Sequence, residues 1–173
     1  CGITEKEMHQ YFKDDIQKMA DMNGTNYEEV SERLRENYDG YHFAPNTEGM
    51  YNPFSLLNVF ANRKFDNYWF ETGTPTYLVE LLKKNDYALE EIDNTIVGME
   101  TLSGIDAADT DPIPVIYQGG YLTIKEFNPR FQSYTLGYPN REVEEGFTKF
   151  LLPHYTSSRG ARSTFEIQNF VRE

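Results

Sequence analysis

Residues 111–137, DPIPVIYQGGYLTIKEFNPRFQSYTLG, contain the pattern that decides the fold class of this chain. Asp111-Pro112 supplies a cap and an early proline, which start a helix, and Gly119-Gly120 ends it. Two runs with strand character follow over 121–127 and 132–137, separated by an Asn-Pro-Arg turn. The stretch therefore predicts a short helix followed by a β-hairpin.

Three further elements are predicted ahead of this stretch. Thr74-Pro75 starts a helix with Tyr77 on its apolar side, 95–99 has the composition of a short strand, and 100–105 predicts a short helix. Over 75–138 the order is then helix, strand, helix, helix, strand, turn, strand. This is the order of a winged helix, in which a helix-turn-helix unit is backed by a β-hairpin. The assignment depends on the strand at 95–99.

The N-terminal part of the chain is dominated by helix signals. Thr4 and Glu7 have the spacing of a capping box, which predicts a helix over 5–20. Asn26 begins a second helix by the same pattern, and Gly40 is placed to end that helix in a left-handed conformation.

A turn-rich run over 41–51 predicts a short hairpin, after which Asn52-Pro53 starts another helix. The apolar residues of this helix that we expect to be buried are Phe54, Leu57 and Phe60. Near the C-terminus, Asn140 caps a helix that Pro153 is expected to end. The small polar run 156–162 predicts a linker, and Ser163 starts one more helix.

Composition narrows the class of protein. The chain has 173 residues, 16 basic and 28 acidic, so its formal charge is −12. This acidic balance opposes binding to a phosphate backbone. No apolar run reaches the length of a membrane span, and a single cysteine excludes an internal disulfide or a Cys-rich zinc site. The single cysteine and the absence of a leader-like N-terminus predict a cytoplasmic location.

No recognisable catalytic or metal-binding motif is present. His9, His42 and His154 fall in separate elements without a metal-ligand pattern, so we interpret them as structural or surface residues. The paired carboxylates predict solvated helix faces, and Cys1 has no adjacent histidine that would activate it. No Gly-Lys-Ser/Thr follows Gly119-Gly120, so the P-loop is absent. We therefore expect no catalytic residue, no metal and no enzymatic activity in this chain.

The winged-helix order raises the question of DNA binding. The helix that would enter the major groove, 112–118, contains no lysine or arginine, and the wing offers only Lys125 and Arg130. This helix is better suited to packing against protein. Aromatic residues make up 15% of the chain, and their clustering predicts either part of the core or a domain joint, or else a peptide- or protein-docking surface. The candidate interaction residues are these aromatic side chains and their neighbours in the same motifs: Tyr38, Asp39, Gly40, Tyr41, Phe43, Tyr51, Asn52, Pro53, Gly120 and Tyr121.

Four motifs in order carry a family resemblance. They are YDGYHF (38–43), YNPFSLL (51–57), QGGYLTI (118–124) and LGYPNREV (136–143). With these motifs the chain resembles the bacterial AAA-ATPase-like proteins common in Bacteroidetes, over about 2–155. In those proteins a P-loop ATPase core precedes such a region and a PD-(D/E)XK nuclease-like domain follows it. Gly119 departs from the Thr or Ser expected there.

The resemblance implies that this chain is the helical lid and winged-helix portion that follows an ATPase core. ATP and Mg²⁺ would then bind only the full-length protein, and the partners would be its ATPase core and nuclease-like domain. Arginines on lid helices can approach the γ-phosphate in such an arrangement. Arg33 and Arg35 are therefore the nucleotide-sensing candidates, although a solvent-exposed charge is the simpler interpretation.

Together the residues and the resemblance predict a mostly helical α+β chain. A helical lid-like subdomain occupies 1–72, a winged-helix-like subdomain occupies 73–155, and 156–173 form a linker and the start of a following helix. The expected function is a non-catalytic coupling of nucleotide state to an effector domain. Two alternatives stay open: a protein–protein interaction module that uses the aromatic surface, and a DNA-binding winged helix, against which the charge argues.

Overall fold

The computed structural model of the chain describes residues 2–71, 76–87, 91–103 and 111–156. The elements of the N-terminal part are α1 (Glu5–Tyr11), α2 (Lys13–Asn23), α3 (Tyr27–Tyr38), α4 (Pro53–Asn62) and α5 (Tyr68–Glu71). Those that follow are α6 (Thr76–Lys84), β1 (Thr95–Gly98), α7 (Met99–Ser103), α8 (Ile113–Gln118), β2 (Thr123–Asn128), β3 (Ser133–Gly137) and α9 (Arg141–Thr156). The predicted fold class, mostly helical α+β, is confirmed.

Two hydrophobic clusters fill the interior. The first combines side chains of α1 to α5, including Met8, Leu34 and Leu56, each 0% exposed. The second combines α6, α8, α9 and the sheet, and is centred on Leu82, Ile116 and Leu136, also 0% exposed. No helix in the described part of the chain is long and apolar enough to cross a membrane.

The winged-helix order is present in the second cluster. The three strands form an antiparallel sheet in the order β1-β3-β2, so the first strand pairs with the last. Leu136 of β3 pairs with Thr95 of β1 on one side and with Ile124 of β2 on the other. Its side chain is buried in the second cluster, together with side chains of α6, α8 and α9. The short strand at 95–99, on which the assignment depended, is confirmed. Tyr77 of α6, expected on the apolar side, is 61% exposed, so that expectation was wrong.

The predicted capping pattern is confirmed at four helix starts. Thr4 and Glu7 form a complete capping box on α1. Asn26, Asn52 and Asn140 each accept a hydrogen bond from a backbone N–H in the first turn of their helix. These bonds satisfy donors that a helix start otherwise leaves free. The cap predicted at Thr74-Pro75 lies outside the described residues.

The single helix predicted over 5–20 is wrong because the chain breaks at Phe12. Its backbone, at φ −117° and ψ 15°, leaves the helical region and separates α1 from α2. The ring of Phe12 stacks on Phe60 of α4 with 4.9 Å between centroids. The break thus places the Phe12 ring, which lies between the two short helices, against α4.

The prediction for Gly40 is confirmed in part. Helix α3 ends at Tyr38 with Asp39, in an extended conformation, as its C-cap, and Gly40 follows with the predicted positive φ, at +102°. Pro153 does not end α9, which continues to Thr156. A proline removes only one helical hydrogen bond, so a long helix can continue beyond it. The remainder of the predicted linker and the helix from Ser163 lie outside the described residues.

Helix α4 is rotated relative to the prediction. Phe54 and Leu57 are 48% and 52% exposed, whereas Phe60 is buried as expected. The inward face instead carries Ser55, Leu56 and Val59, each 0% exposed. A polar serine lies inside because its hydroxyl bonds a buried carboxylate, described below.

Candidate functional site

The two clusters meet at a contact region that we call the joint. Its residues are Gly40, Tyr41, His42, Ser55 and Trp69 on the first side, and Gly120, Tyr121, Thr123, Pro139 and Glu142 on the second. Most of these fall within the four motifs that carry the family resemblance. The motifs are therefore brought together in space.

A continuous stack of rings crosses the joint. Trp69 lies between Tyr41, at 5.9 Å, and Tyr121, at 5.7 Å between centroids. Tyr121 continues the contact to Phe147 of α9 at 5.3 Å. Stacked and tilted aromatic pairs at these separations stabilise beyond the area they bury. The ring stack therefore links the first cluster to the second, which contains Phe147.

Two glycines of the joint are required by close approach. A Cβ on Gly40 would lie 2.1 Å from the carbonyl oxygen of Pro139, and a Cβ on Gly120 would lie 2.6 Å from the Trp69 ring. Both glycines have positive φ, at +102° and +78°. No other residue fits either position without displacing its neighbour.

Thr123 fastens β2 to the segment that follows α3. Its Oγ1 accepts a hydrogen bond from the His42 N–H at 2.7 Å and donates one to the His42 carbonyl at 3.1 Å. One side chain thus satisfies both backbone groups of a residue 81 positions away. These two bonds resemble the backbone pairing of adjacent β-strands, and they fix the position of His42 relative to β2.

We expect Thr123→Val to lower the free energy of unfolding by about 1–2 kcal/mol, because the shape is kept while the His42 N–H loses its acceptor. The exposed Thr47, whose hydroxyl bonds the Ala44 carbonyl within one loop, provides the control. Thr47→Val should change stability by less than about 0.5 kcal/mol. Urea unfolding of the two variants checks this, and equal stabilities would contradict the role given to Thr123.

Glu142 is the central polar group of the joint. It lies in the first turn of α9 and is 0% exposed. Its carboxylate accepts hydrogen bonds from the Ser55 hydroxyl at 2.7 Å and from the Trp69 N–H at 2.9 Å. No lysine or arginine forms an ion pair with it among the described residues. Burial raises the pKa of Glu142, and the bonds from Ser55 and the backbone oppose this.

Three further polar atoms near the joint are buried without a hydrogen-bond partner among the described residues. They are Asp39 Oδ1, the Tyr41 hydroxyl and Asn140 Nδ2. Burial raises the pKa of Asp39 and of Tyr41. The surroundings of the joint thus disfavour the ionised form of acidic side chains, and Glu142 is buried in these surroundings.

Glu5, His9 and Tyr27 form a hydrogen-bonded chain that the sequence prediction missed. The Nε2 atom of His9 lies 2.9 Å from Glu5 Oε1, and its Nδ1 atom lies 2.7 Å from the Tyr27 hydroxyl. The other Glu5 oxygen accepts a bond from the Tyr51 hydroxyl. Glu5, His9 and Tyr27 line an open cleft of about 360 Å³. The i,i+4 spacing of Glu5 and His9 was the signal that could have revealed the pair.

The two arginine candidates are separated by the structure. Arg35 donates a hydrogen bond to Glu32 at 2.7 Å and lines the cleft beside His9. Arg33 points to a different cleft, where its guanidinium lies 4.2 Å from the centre of the Phe65 ring. No carboxylate is paired with Arg33 in the described ranges. Arg33 and Arg35 therefore line two different clefts, so one ligand group does not contact both side chains in this conformation.

The aromatic residues predicted as a core or a docking surface divide between the two roles. Tyr38 and Tyr51 are 0% and 1% exposed, and Tyr41 is half-buried in the ring stack. Phe43 alone among them is well exposed, at 60%. Asn52 caps α4 and Pro53 is its first residue, so both act locally.

Helix α8 is the element that would lie in the DNA major groove in a DNA-binding winged helix, but here it packs in the core. Ile113 and Ile116 are 1% and 0% exposed, and the helix has no basic residue. The wing ends at an exposed Phe131, which the Arg130 guanidinium approaches at 5.4 Å from the ring centre. Among the residues that the structure describes, no group of histidine, cysteine and carboxylates is arranged to hold a metal ion.

The chain is similar over most of its length to the "Uncharacterized protein in vnfD 5'region" of Azotobacter chroococcum mcd 1. The two are 34% identical over 160 residues, which is 90% of this chain and 28% of the relative. The chain thus spans less than a third of the relative's length. No protein-family model matches the chain, and no solved structure matches it.

Proposed function

We propose that this chain is a non-catalytic module of a longer protein and couples the nucleotide state of an ATPase core to an effector domain. On this proposal ATP and Mg²⁺ bind elsewhere in that protein. The observation that carries the proposal is the buried Glu142 contact, which ties α4 and α5 of one cluster to α9 of the other. A displacement on one side of such a contact is transmitted to the other, because packed interfaces do not deform continuously.

The size of the relative supports this proposal. A chain that matches 28% of a longer protein is suited to act beside other parts of that protein. The four motifs meet at the joint and not at a set of catalytic groups, which also favours a mechanical role. Within the proposal, Arg33 is the better candidate to contact an acidic group of a neighbouring part, since Arg35 is already paired with Glu32.

Calorimetry with ATP and Mg²⁺ tests the proposal on this chain and on the full-length Azotobacter relative. We expect ATP hydrolysis by the full-length relative alone, whether or not this chain binds a phosphate group. We also expect ATP to change hydrogen exchange in the segments of the relative that match the joint. ATP hydrolysis by this chain above background, or no nucleotide binding by the relative, would overturn the proposal.

A protein-interaction module is the second candidate, and the outer face of α4 favours it. Phe54 and Leu57, one turn apart, are both about half exposed, although apolar residues of helices usually face a core. Leu57→Asp should leave the stability of this chain within about 0.5 kcal/mol. The same change at the matching position of the full-length relative should release a partner that this face holds. Unchanged elution of the relative on size exclusion would count against this candidate.

A further inference from the structure

A second cleft, of about 250 Å³, lies where α3, the 65–67 segment and α9 meet. Arg33 enters it from α3, and Arg141 and Lys149 enter it from α9. Three cations thus converge at one place on a chain whose formal charge is −12. Asp66 and Glu145 are the carboxylates that line the same cleft.

These carboxylates leave part of the positive charge without a close partner. Asp66 is engaged by the Lys64 ammonium at 2.5 Å and by the Asn67 N–H at 3.0 Å. Glu145 is shared between Arg141 at 3.8 Å and Lys149 at 3.7 Å, and Arg141 lies 3.6 Å from Glu36. Charge-assisted hydrogen bonds are about 2.7–2.9 Å long. The cations from α9 are therefore only loosely neutralised.

Arg33 is held in position by stacking. Its guanidinium lies over the Phe65 ring, whose other neighbour is the buried Tyr38 ring at 6.2 Å between centroids. A stacked guanidinium keeps its N–H donors free at the edge of the plane. No hydrogen bond uses these donors within the described part of the chain. Arg33 is thus a pre-positioned donor without an acceptor.

We infer that this cleft is a binding site for a phosphate group, held by Arg33, Arg141 and Lys149. A phosphate has enough oxygens to meet donors from three side chains at once, whereas a carboxylate has two. A bound phosphate would connect α3 to α9, which belong to different clusters. The inference extends the proposed function, because such a ligand would stiffen the region that the joint connects. The phosphate can belong to a free anion or to a nucleotide.

Calorimetric titration of this chain with sodium pyrophosphate, at constant ionic strength, tests the site. We expect saturable binding at one site per chain. Arg33→Gln and Lys149→Gln should each weaken binding by about tenfold, since a hydrogen bond to a charged group is lost. The control is Lys18→Gln, which removes the same charge from an exposed position on α2 and should leave the affinity unchanged within about twofold.

A parallel titration with ADP distinguishes the sources of the phosphate. Equal affinities for ADP and pyrophosphate support a free-anion site, and tighter binding of ADP supports a nucleotide. Absence of saturable binding by either ligand, or equal weakening by Lys18→Gln, would overturn the inference. The proposed function is tested on the full-length relative, so failure of the cleft to bind phosphate leaves that test standing.

Discussion

Gly40→Ala is expected to lower the free energy of unfolding by about 3 kcal/mol or more. Two costs add at this position. The backbone at φ +102° is one that residues with a Cβ rarely adopt, which costs about 1–2 kcal/mol. The new Cβ would also lie 2.1 Å from the Pro139 carbonyl oxygen. Because that atom belongs to the backbone, relief requires the two sides of the joint to separate.

Gly24→Ala is the matched control for this prediction. Gly24 also has positive φ, at +66°, but a Cβ there meets nothing within 4 Å. Its substitution should therefore cost only about 1 kcal/mol. Chemical unfolding followed by tryptophan fluorescence suits the comparison, because Trp69 is the only tryptophan and lies in the joint. Similar losses in the two variants, with an unshifted Trp69 emission maximum, would contradict the close packing of Gly40 on Pro139.

Local signals were sufficient to predict most of the fold. Helix caps at Thr4, Asn26 and Asn140 depend on neighbours within three residues, and all three are present. The strand at 95–99 and the hairpin were also visible as local patterns, so the winged-helix order could be derived. These signals depend on residues that are close together in the sequence, so they can be read without knowledge of tertiary contacts.

The features that were missed depend on contacts distant in sequence. The glycine at position 40 was assigned to a helix end, because its real constraint, Pro139, lies 99 residues away. The face of α4 was assigned by its apolar side chains, but Ser55 turns inward to bond Glu142, 87 positions along the chain. Glu142 was noted only as part of the motif LGYPNREV, because nothing in its local sequence marks it as buried. The joint is built from such contacts between residues that are distant in the sequence. The sequence therefore indicated which motifs form the joint, but not which of their atoms come into contact.

Glu142→Leu should be less stable than Glu142→Gln by about 2–4 kcal/mol. Leucine has a similar volume but leaves the buried Ser55 hydroxyl and the Trp69 N–H without an acceptor. Glutamine keeps a carbonyl oxygen for the Trp69 N–H and can donate its amide N–H to Ser55 Oγ. Urea unfolding at a single pH measures the difference. Equal stabilities would show that the hydrogen bonds of the joint contribute nothing.

The comparison of wild type with Glu142→Gln isolates the cost of the buried charge. Burial raises the pKa of Glu142 in the folded state, so the folded chain holds this proton more tightly than the unfolded chain. The resulting stabilisation is complete below the unfolded pKa and is lost as pH rises through the folded pKa. We therefore expect wild type to lose stability relative to Glu142→Gln from about pH 4.5 upward.

The difference between the two proteins is the informative quantity, because other groups titrate in the same range. Burial also raises the pKa of Asp39 and of Glu144, so the pH profile of wild type alone combines several carboxyls. Subtracting the Glu142→Gln profile removes the terms that both proteins share. A difference that stays flat from pH 4 to pH 8 would mean that the pKa of Glu142 is not raised in the folded state. In that case the hydrogen bonds from Ser55 and the backbone would fully offset the effect of burial, and the buried charge of the joint would carry no net cost.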